Sequence, residues 1–242
     1  MNIVLLRVGI DTGCGGIHGP LFRDGTFEFI PIPEDKFEEG EDRTYGNTQG
    51  RHGRKLIEYF PEHHKDTMRS CPIHADPEFD TFTYGDPTSL KARLRDLKNG
   101  DILAFYAGLK GFGFESEDAL YLIGYFVVHK AGKVNQFGSA ELRTLFGRNA
   151  HVRNGKRFEV DKYDLVLVKG DNEASCFFKK AVKISSEGQD RTGKRLKVLS
   201  PAMRRIFGDF NGKISIQRSP PRWVAPAFIE KATQFLKQQK GT

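Results

Sequence analysis

Short apolar runs separated by Gly-, Pro- or charge-rich stretches dominate the chain, and helical periodicity is confined to a few segments. Ile3-Val4-Leu5-Leu6 has no polar alternation, which predicts a strand covered on both faces. It runs into Arg7-Val8-Gly9-Ile10-Asp11-Thr12-Gly13-Cys14-Gly15-Gly16, whose glycines stop any regular element. Asp24-Gly25 signals a turn, and residues 27–32 alternate as a strand that ends near proline. Residues 34–53 have no period and predict a long loop, and residues 56–60 predict a short helix closed by Pro61. Pro61, Pro72, Pro77 and Pro87 make residues 61–88 an irregular stretch.

Leu90, Leu94 and Leu97 recur at helical spacing, with Asp86 or Thr88 as the cap and Asn99-Gly100 as the stop. Residues 101–107 and 119–128 predict two buried strands flanking a Gly- and acid-rich hairpin loop at 111–118. A short helix is expected at 140–146, and strands at 164–170, 176–178 and 181–184. Residues 185–197 read as a polar, basic loop. Ser200-Pro201 opens a short helix, and Pro226 opens the last, whose apolar stripe is Phe228, Ile229, Ala232, Phe235 and Leu236. With no internal repeat and no linker, residues 1–242 are expected to form one α+β domain built on a mixed, bent β-sheet with peripheral helices.

Composition adds three constraints. At 242 residues and 38% hydrophobic, with 20 Phe, the chain can bury a sizeable core without disulfides. The first apolar run is too short for a signal peptide, and no stretch approaches a membrane span. Cys14, Cys71 and Cys176 are odd in number and far apart, so a reducing, cytoplasmic setting is expected. Charge is uneven: residues 1–150 hold 18 Lys and Arg against 22 Asp and Glu, whereas residues 151–242 hold 20 against 9. The basic C-terminal extension suits contact with phosphates. The candidates for nucleic-acid backbone contact are Lys179, Lys180, Arg191, Lys194, Arg195, Lys197, Arg204, Arg205, Arg218 and Arg222. A solvated basic surface is the competing reading.

Candidate chemistry falls in two loops. A strand that ends in a Gly-rich segment exposes N–H groups able to hold an anion, so Arg7, Asp11, Gly15 and Gly16 are ligand candidates. The segment has neither a Walker ending nor a Rossmann fingerprint. His74-Ala75-Asp76 pairs an imidazole with a carboxylate, suited to acid–base work or base recognition, or to ordering a Pro-rich loop. Tyr84 and Asp86 stand on the same stretch, while Glu78 and Asp80 are more readily surface acids. Cys71, His63, His64 and His74 match no zinc-finger spacing, so no metal and no cofactor are expected. Tyr106 at a strand end and Phe112 in the following loop are better placed than Phe105 to stack a base, and Trp223 is equally open to stacking or packing.

Two patterns carry resemblances. Gly100-Asp101-Ile102-Leu103-Ala104-Phe105-Tyr106 and then Leu122-Ile123-Gly124-Tyr125-Phe126-Val127-Val128 resemble strands of the PUA-like superfamily, which implies a partly closed barrel. Arg7-Val8-Gly9-Ile10-Asp11, Gly15-Gly16-Ile17-His18-Gly19-Pro20, Asp24-Gly25-Thr26, Pro31-Ile32-Pro33, His74-Ala75-Asp76-Pro77 and Tyr84-Gly85-Asp86 occur in that order over the first 130 residues. This series resembles the third family of nucleotide-modification-associated domains, with Gly19-Pro20 and Tyr84-Gly85-Asp86 departing from the family's usual Ser-Pro and Phe-Gly-Gln. That resemblance implies a link to nucleic-acid modification and leaves the chemistry open. The expected function is binding of a nucleotide or base, modified or not, or assistance in its modification. An enzyme using Arg7, Asp11, His74 and Asp76 on a nucleotide, and a module docking an acidic protein, are the alternatives.

Overall fold

The computed structural model describes residues 1–10, 16–34, 43–217 and 220–241. Asp11, Gly15, Cys14 and Arg218 therefore lie outside the described residues.

The architecture is α+β around a mixed sheet of eight strands. Its spine is β6 (Ile102–Gly111) paired antiparallel with β7 (Ala119–Lys133). The first strand, β1 (Ile3–Arg7), is buried at every position and pairs parallel with β6, placing Arg7 opposite Tyr106. The chain then leaves the sheet and returns as β2 (Gly19–Leu21), which pairs parallel with the last part of β6. The excursion between β1 and β2 is thus held at both ends by one strand.

β7 is long enough to serve two sets of partners. Its first half pairs with β9 (Cys176–Lys183), and its second half with β8 (Val166–Gly170), which in turn pairs with β5 (Thr83–Asp86). The register slips beside Gly124 and again between Val128 and Lys130, and there the strand bends. The short β12 (Arg222–Trp223) on β1 and β5 on β8 are the two ends of the sheet order, and the sheet does not close into a barrel. The bent, mixed sheet is as expected, and the barrel closure implied by the PUA-like strands is absent.

Two short elements complete the frame near the N-terminus. β3 (Ile32–Pro33) pairs antiparallel with β4 (Ile73–His74), so the predicted strand over 27–32 shrinks to bridges at Thr26 and Phe27 and a two-residue pair. Pro31 and Pro33 have no N–H to extend the ladder. The turn launching β6 is a staple: Asp101 is buried and its carboxylate accepts the Asn2 N–H (2.6 Å) and the Lys98 N–H (2.9 Å).

Several elements differ from the pattern reading. The expected irregular stretch contains helix α1 (Glu62–Arg69), which buries no residue and so shows no apolar stripe. The Leu90–Leu97 segment is a 3-10 run, Ser89–Asp96, capped by Leu97; Leu94 and Leu97 are buried and Leu90 is exposed. The three-residue spacing of the two buried leucines fits the tighter helix. The polar stretch 185–197 forms a hairpin, β10 (Ser185–Gln189) with β11 (Arg195–Leu199), standing apart from the main sheet. Helices α2 (Ser139–Phe146), α3 (Ala150–Arg153), α4 (Gly155–Asp161), α5 (Pro201–Phe207) and α6 (Ile229–Gln238) surround the sheet. Among the described residues no helix is long and apolar enough to cross a membrane.

Candidate functional site

β1 ends at Arg7 because Gly9 turns the backbone away. Val8 still donates its N–H to the Tyr106 carbonyl (2.9 Å), whereas Ile10 donates to Ile30 (2.8 Å). Gly9 has φ +75°, and a Cβ there would meet the Phe29 ring at 2.7 Å, so only glycine makes this turn. Arg7, Val8 and Gly9 form one wall of a cleft of about 180 Å³. The opposite wall comes from β4, β5 and the segments C-terminal to them: His74, Asp76, Tyr84, Gly85, Asp86 and Lys91. Two loops about 60 residues apart in sequence thus share one cleft.

The wall beyond Asp86 is a closed hydrogen-bonded unit. Asp86 accepts from the Tyr84 hydroxyl (3.1 Å), the Thr88 N–H (2.8 Å), the Thr88 hydroxyl and the Lys91 ammonium (2.6 Å). Burial, then the neighbouring carboxylates Asp86 and Asp76, hold the Tyr84 hydroxyl well above its usual range, so it stays a donor.

Behind His74 lies a chain of alternating carboxylates and imidazoles. His74 directs Nδ1 at Glu34 Oε2 (3.0 Å) and Nε2 at Asp76 Oδ2 (3.4 Å). The same Asp76 oxygen faces His151 Nε2 (3.1 Å), and His151 Nδ1 faces Asp161 Oδ2 (2.9 Å). Arg157 closes the loop, pairing with Glu34 and, through Nε, with Asp161 (3.2 Å). Asp76 also accepts the Gly85 N–H at 3.2 Å. Three carboxylates therefore face three cations, a balance that permits ionised groups so deep in the fold.

The local fold supplies each member. The β3–β4 pair sets Ile32 opposite His74, which brings Glu34 to its ring. Asn149 caps α3 by accepting the His151 N–H (3.1 Å), and Asn154 caps α4 by accepting the Arg157 N–H (3.1 Å). Arg157 and Asp161 are four residues apart on α4 and so share a face.

The charges reflect this geometry. Burial disfavours a charged His74, but its bonds to Asp76 and Glu34 prevail and raise it to about 9. Burial likewise opposes the Asp76 carboxylate, and the bonds from His151 and His74 overcome it, lowering it to about 2. His151 is raised against burial by Asp161 and Asp76, and Asp161 is lowered against burial by His151.

Gly85 determines whether His151 can reach. A Cβ on Gly85 would stand 2.8 Å from the His151 ring and 3.0 Å from Asn149 Oδ1. Gly85→Ala is expected to push α3 off β5, part His151 from Asp76 and cost about 1–3 kcal/mol. Urea denaturation together with the His151 ring resonances would check this; an unshifted His151 signal at full stability would show that α3 yields freely.

Other sequence candidates fall elsewhere. Tyr106 lies within β6 rather than at its end, is fully buried, and donates its hydroxyl to the Ile216 carbonyl (3.1 Å). The strand runs on to Gly111 because β2 pairs with its last residues. Gly16 is exposed and is not among the residues of the cleft. Glu78 pairs with Arg153 (2.9 Å), and Asp80 is exposed beside Arg148. His63 and His64 set their rings against each other at 44° on α1, and Cys71 Sγ faces the Pro72 carbonyl.

Among the basic candidates, Lys179, Lys180, Arg191, Lys194, Arg195, Arg204 and Arg205 are exposed. The Lys197 ammonium pairs with Glu187 and Asp118, and the Arg222 guanidinium donates to the Ser215 carbonyl (2.7 Å). Neither is aimed outward as expected. Glu34, Lys91, His151, Arg157 and Asp161 carry no local motif, since each is placed at the site by pairing or capping.

A family model, nucleotide modification associated domain 3, matches residues 2–241. The chain belongs to this family. No curated protein and no solved structure matches it. The match takes in the basic C-terminal region as well as the N-terminal motifs. Both walls of the cleft, and α3 and α4 behind it, therefore belong to the nucleotide modification associated domain. The family description links the chain to nucleotide modification.

Proposed function

We propose that the chain binds a nucleotide, through its base or its phosphate, in the cleft between Arg7 and the His74–Asp86 wall, in the service of nucleotide modification. The observation that carries this reading is the convergence of Arg7 and His74 on one cleft. Size narrows the ligand. A volume of about 180 Å³ is below the ~300–1,000 Å³ of clefts for drug-sized molecules, so it suits a single base or phosphate group. Both kinds of partner line it: Arg7 and Lys91 bring N–H groups and Asp76 brings a carboxylate, whereas the Asp86 oxygens are taken by Tyr84, Thr88 and Lys91. A nucleobase edge presents both kinds of partner. The exposed cations at the tip of the β10–β11 hairpin, Arg191, Lys194 and Arg195, would hold the backbone of a longer strand without reading its sequence.

A titration of nucleoside monophosphates and short oligonucleotides tests this. Arg7→Gln is expected to weaken mononucleotide binding about tenfold or more, the loss of one charge-assisted bond. Replacing Arg191, Lys194 and Arg195 together should leave mononucleotide binding intact and flatten the salt dependence of oligonucleotide binding by up to about 2–3 units. Absence of binding at millimolar nucleotide and low salt would refute the proposal. A second reading, turnover of the bound nucleotide, is favoured by His74 and Asp76 at the cleft wall; mass spectrometry of the incubated ligand separates it from binding alone.

A further inference from the structure

His74, Asp76 and His151 bring one potential ligand atom each to within 4.8 Å of one another. Two observations raise this above an ordinary buried His–Asp pair. The first is spacing. A first-row dication about 2.0–2.2 Å from each donor sets neighbouring donors about 2.9–3.5 Å apart. The separations from Asp76 Oδ2 to His74 Nε2 and to His151 Nε2 are 3.4 and 3.1 Å.

The second is the outer ring. Each imidazole turns Nε2 inward and gives Nδ1 to a carboxylate, Glu34 for His74 and Asp161 for His151, with Arg157 tying those carboxylates together. Carboxylate-backed imidazoles are how proteins orient and strengthen metal-binding histidines.

We propose that His74 Nε2, His151 Nε2 and the Asp76 carboxylate bind one first-row transition-metal dication at the inner wall of the cleft. Two imidazoles and one carboxylate suit Fe²⁺, Co²⁺ or Zn²⁺, whereas Mg²⁺ and Ca²⁺ prefer all-oxygen sets. Three protein ligands leave positions for water or a ligand arriving by way of His74 and Asp76, which line the cleft. The spacing round Cys71 and His63 argues against a metal only for local ligand sets; here the third ligand comes from α3.

The test is a metal titration of untagged protein, stripped with EDTA and free of nucleotide, so that its outcome is independent of nucleotide binding in the cleft. Co²⁺ is expected to bind at one equivalent with visible absorption bands, and Zn²⁺ to displace it, while Mg²⁺ has no effect. His151→Ala and Asp76→Asn should abolish binding. Glu34→Gln, which keeps all three ligands, should weaken it about 10–100-fold. A double His63→Ala, His64→Ala variant should bind as wild type. If His151→Ala or Asp76→Asn fails to fold, Glu34→Gln and the His63, His64 pair decide. The proposal is overturned if the wild-type chain binds no Co²⁺ or Zn²⁺ at 1 mM or tighter. It is equally overturned if Glu34→Gln leaves affinity unchanged, or if binding is lost with His63 and His64.

Discussion

Replacing Asp76 by alanine should lower the unfolding free energy by about 3–5 kcal/mol, measured by urea denaturation with a chelator present. One carboxylate holds four things together: the two imidazoles, the Gly85 N–H and, through His151, the seat of α3 against β5. Its removal leaves two buried cations facing each other, their rings 4.7 Å apart, with no anion between them. It also strands the Gly85 N–H within the fold. Removing one partner of a buried pair costs more than the pair contributes, because the survivor keeps its desolvation penalty. Asp76→Asn retains one acceptor oxygen and should cost less than alanine. A loss under about 1 kcal/mol for alanine would mean that water reaches both imidazoles freely, and the cluster would not be the buried network described.

In the same chelated protein, the stability contributed by His74 and Asp76 should be complete between about pH 4 and 6.5 and fall on both sides, superposed on a steady loss from pH 4.5 to 8 due to Glu78, which burial and then the Asp76 charge raise to about 8. His74 has a folded value of about 9 against 6.5 unfolded, because its bonds to Asp76 and Glu34 outweigh the cost of burial. The folded chain holds that proton more tightly, so the stabilisation is complete below 6.5 and disappears as pH rises through 9. A shift of this size corresponds to on the order of 3 kcal/mol. Asp76 has the opposite sense. Its folded value of about 2 lies below 3.8, because the bonds from His151 and His74 outweigh burial. Its contribution is complete above 3.8 and disappears as pH falls toward 2. Unfolding free energies at pH 5.5, 7.5 and 9.5 would trace the basic limb. His74→Gln should make it shallower, leaving the parts due to Glu78 and His151; an equally steep limb in that variant would show that His74 contributes nothing to it.

Much of the frame is legible in residue pattern alone. Ile3-Val4-Leu5-Leu6 and the two apolar runs of β6 and β7 have no polar face, so burial on both sides is the only low-energy outcome, and they became the middle of the sheet. Ser200-Pro201 and Pro226 marked helix starts through backbone chemistry that needs no partner. The polar helix α1 and the β10–β11 hairpin were illegible for the converse reason: α1 buries no residue, and the hairpin buries only its base, at Ser185, Val198 and Leu199.

The cleft divides in the same way. Arg7, His74, Asp76, Tyr84 and Asp86 stand in short motifs, so their residue types and neighbours made them candidates without any knowledge of the fold. That Arg7 and His74 share a cleft depends on the parallel pairing of β1 with β6 and on the β3–β4 bridge. Tyr106 shows the limit, because pairing with β7 and then β2 carries its strand past it, and its hydroxyl is taken by the distant Ile216 carbonyl. His151, Asp161 and Arg157 had no local mark at all. Their partners lie on other elements, and a hydrogen bond or ligand geometry is a property of distance in space, which one-dimensional spacing encodes only within a single helix or strand. Sequence alone therefore determined which segments must be buried and which residues have the chemistry to bind; the packing of α3 and α4 against β4 and β5 decided which of those residues meet.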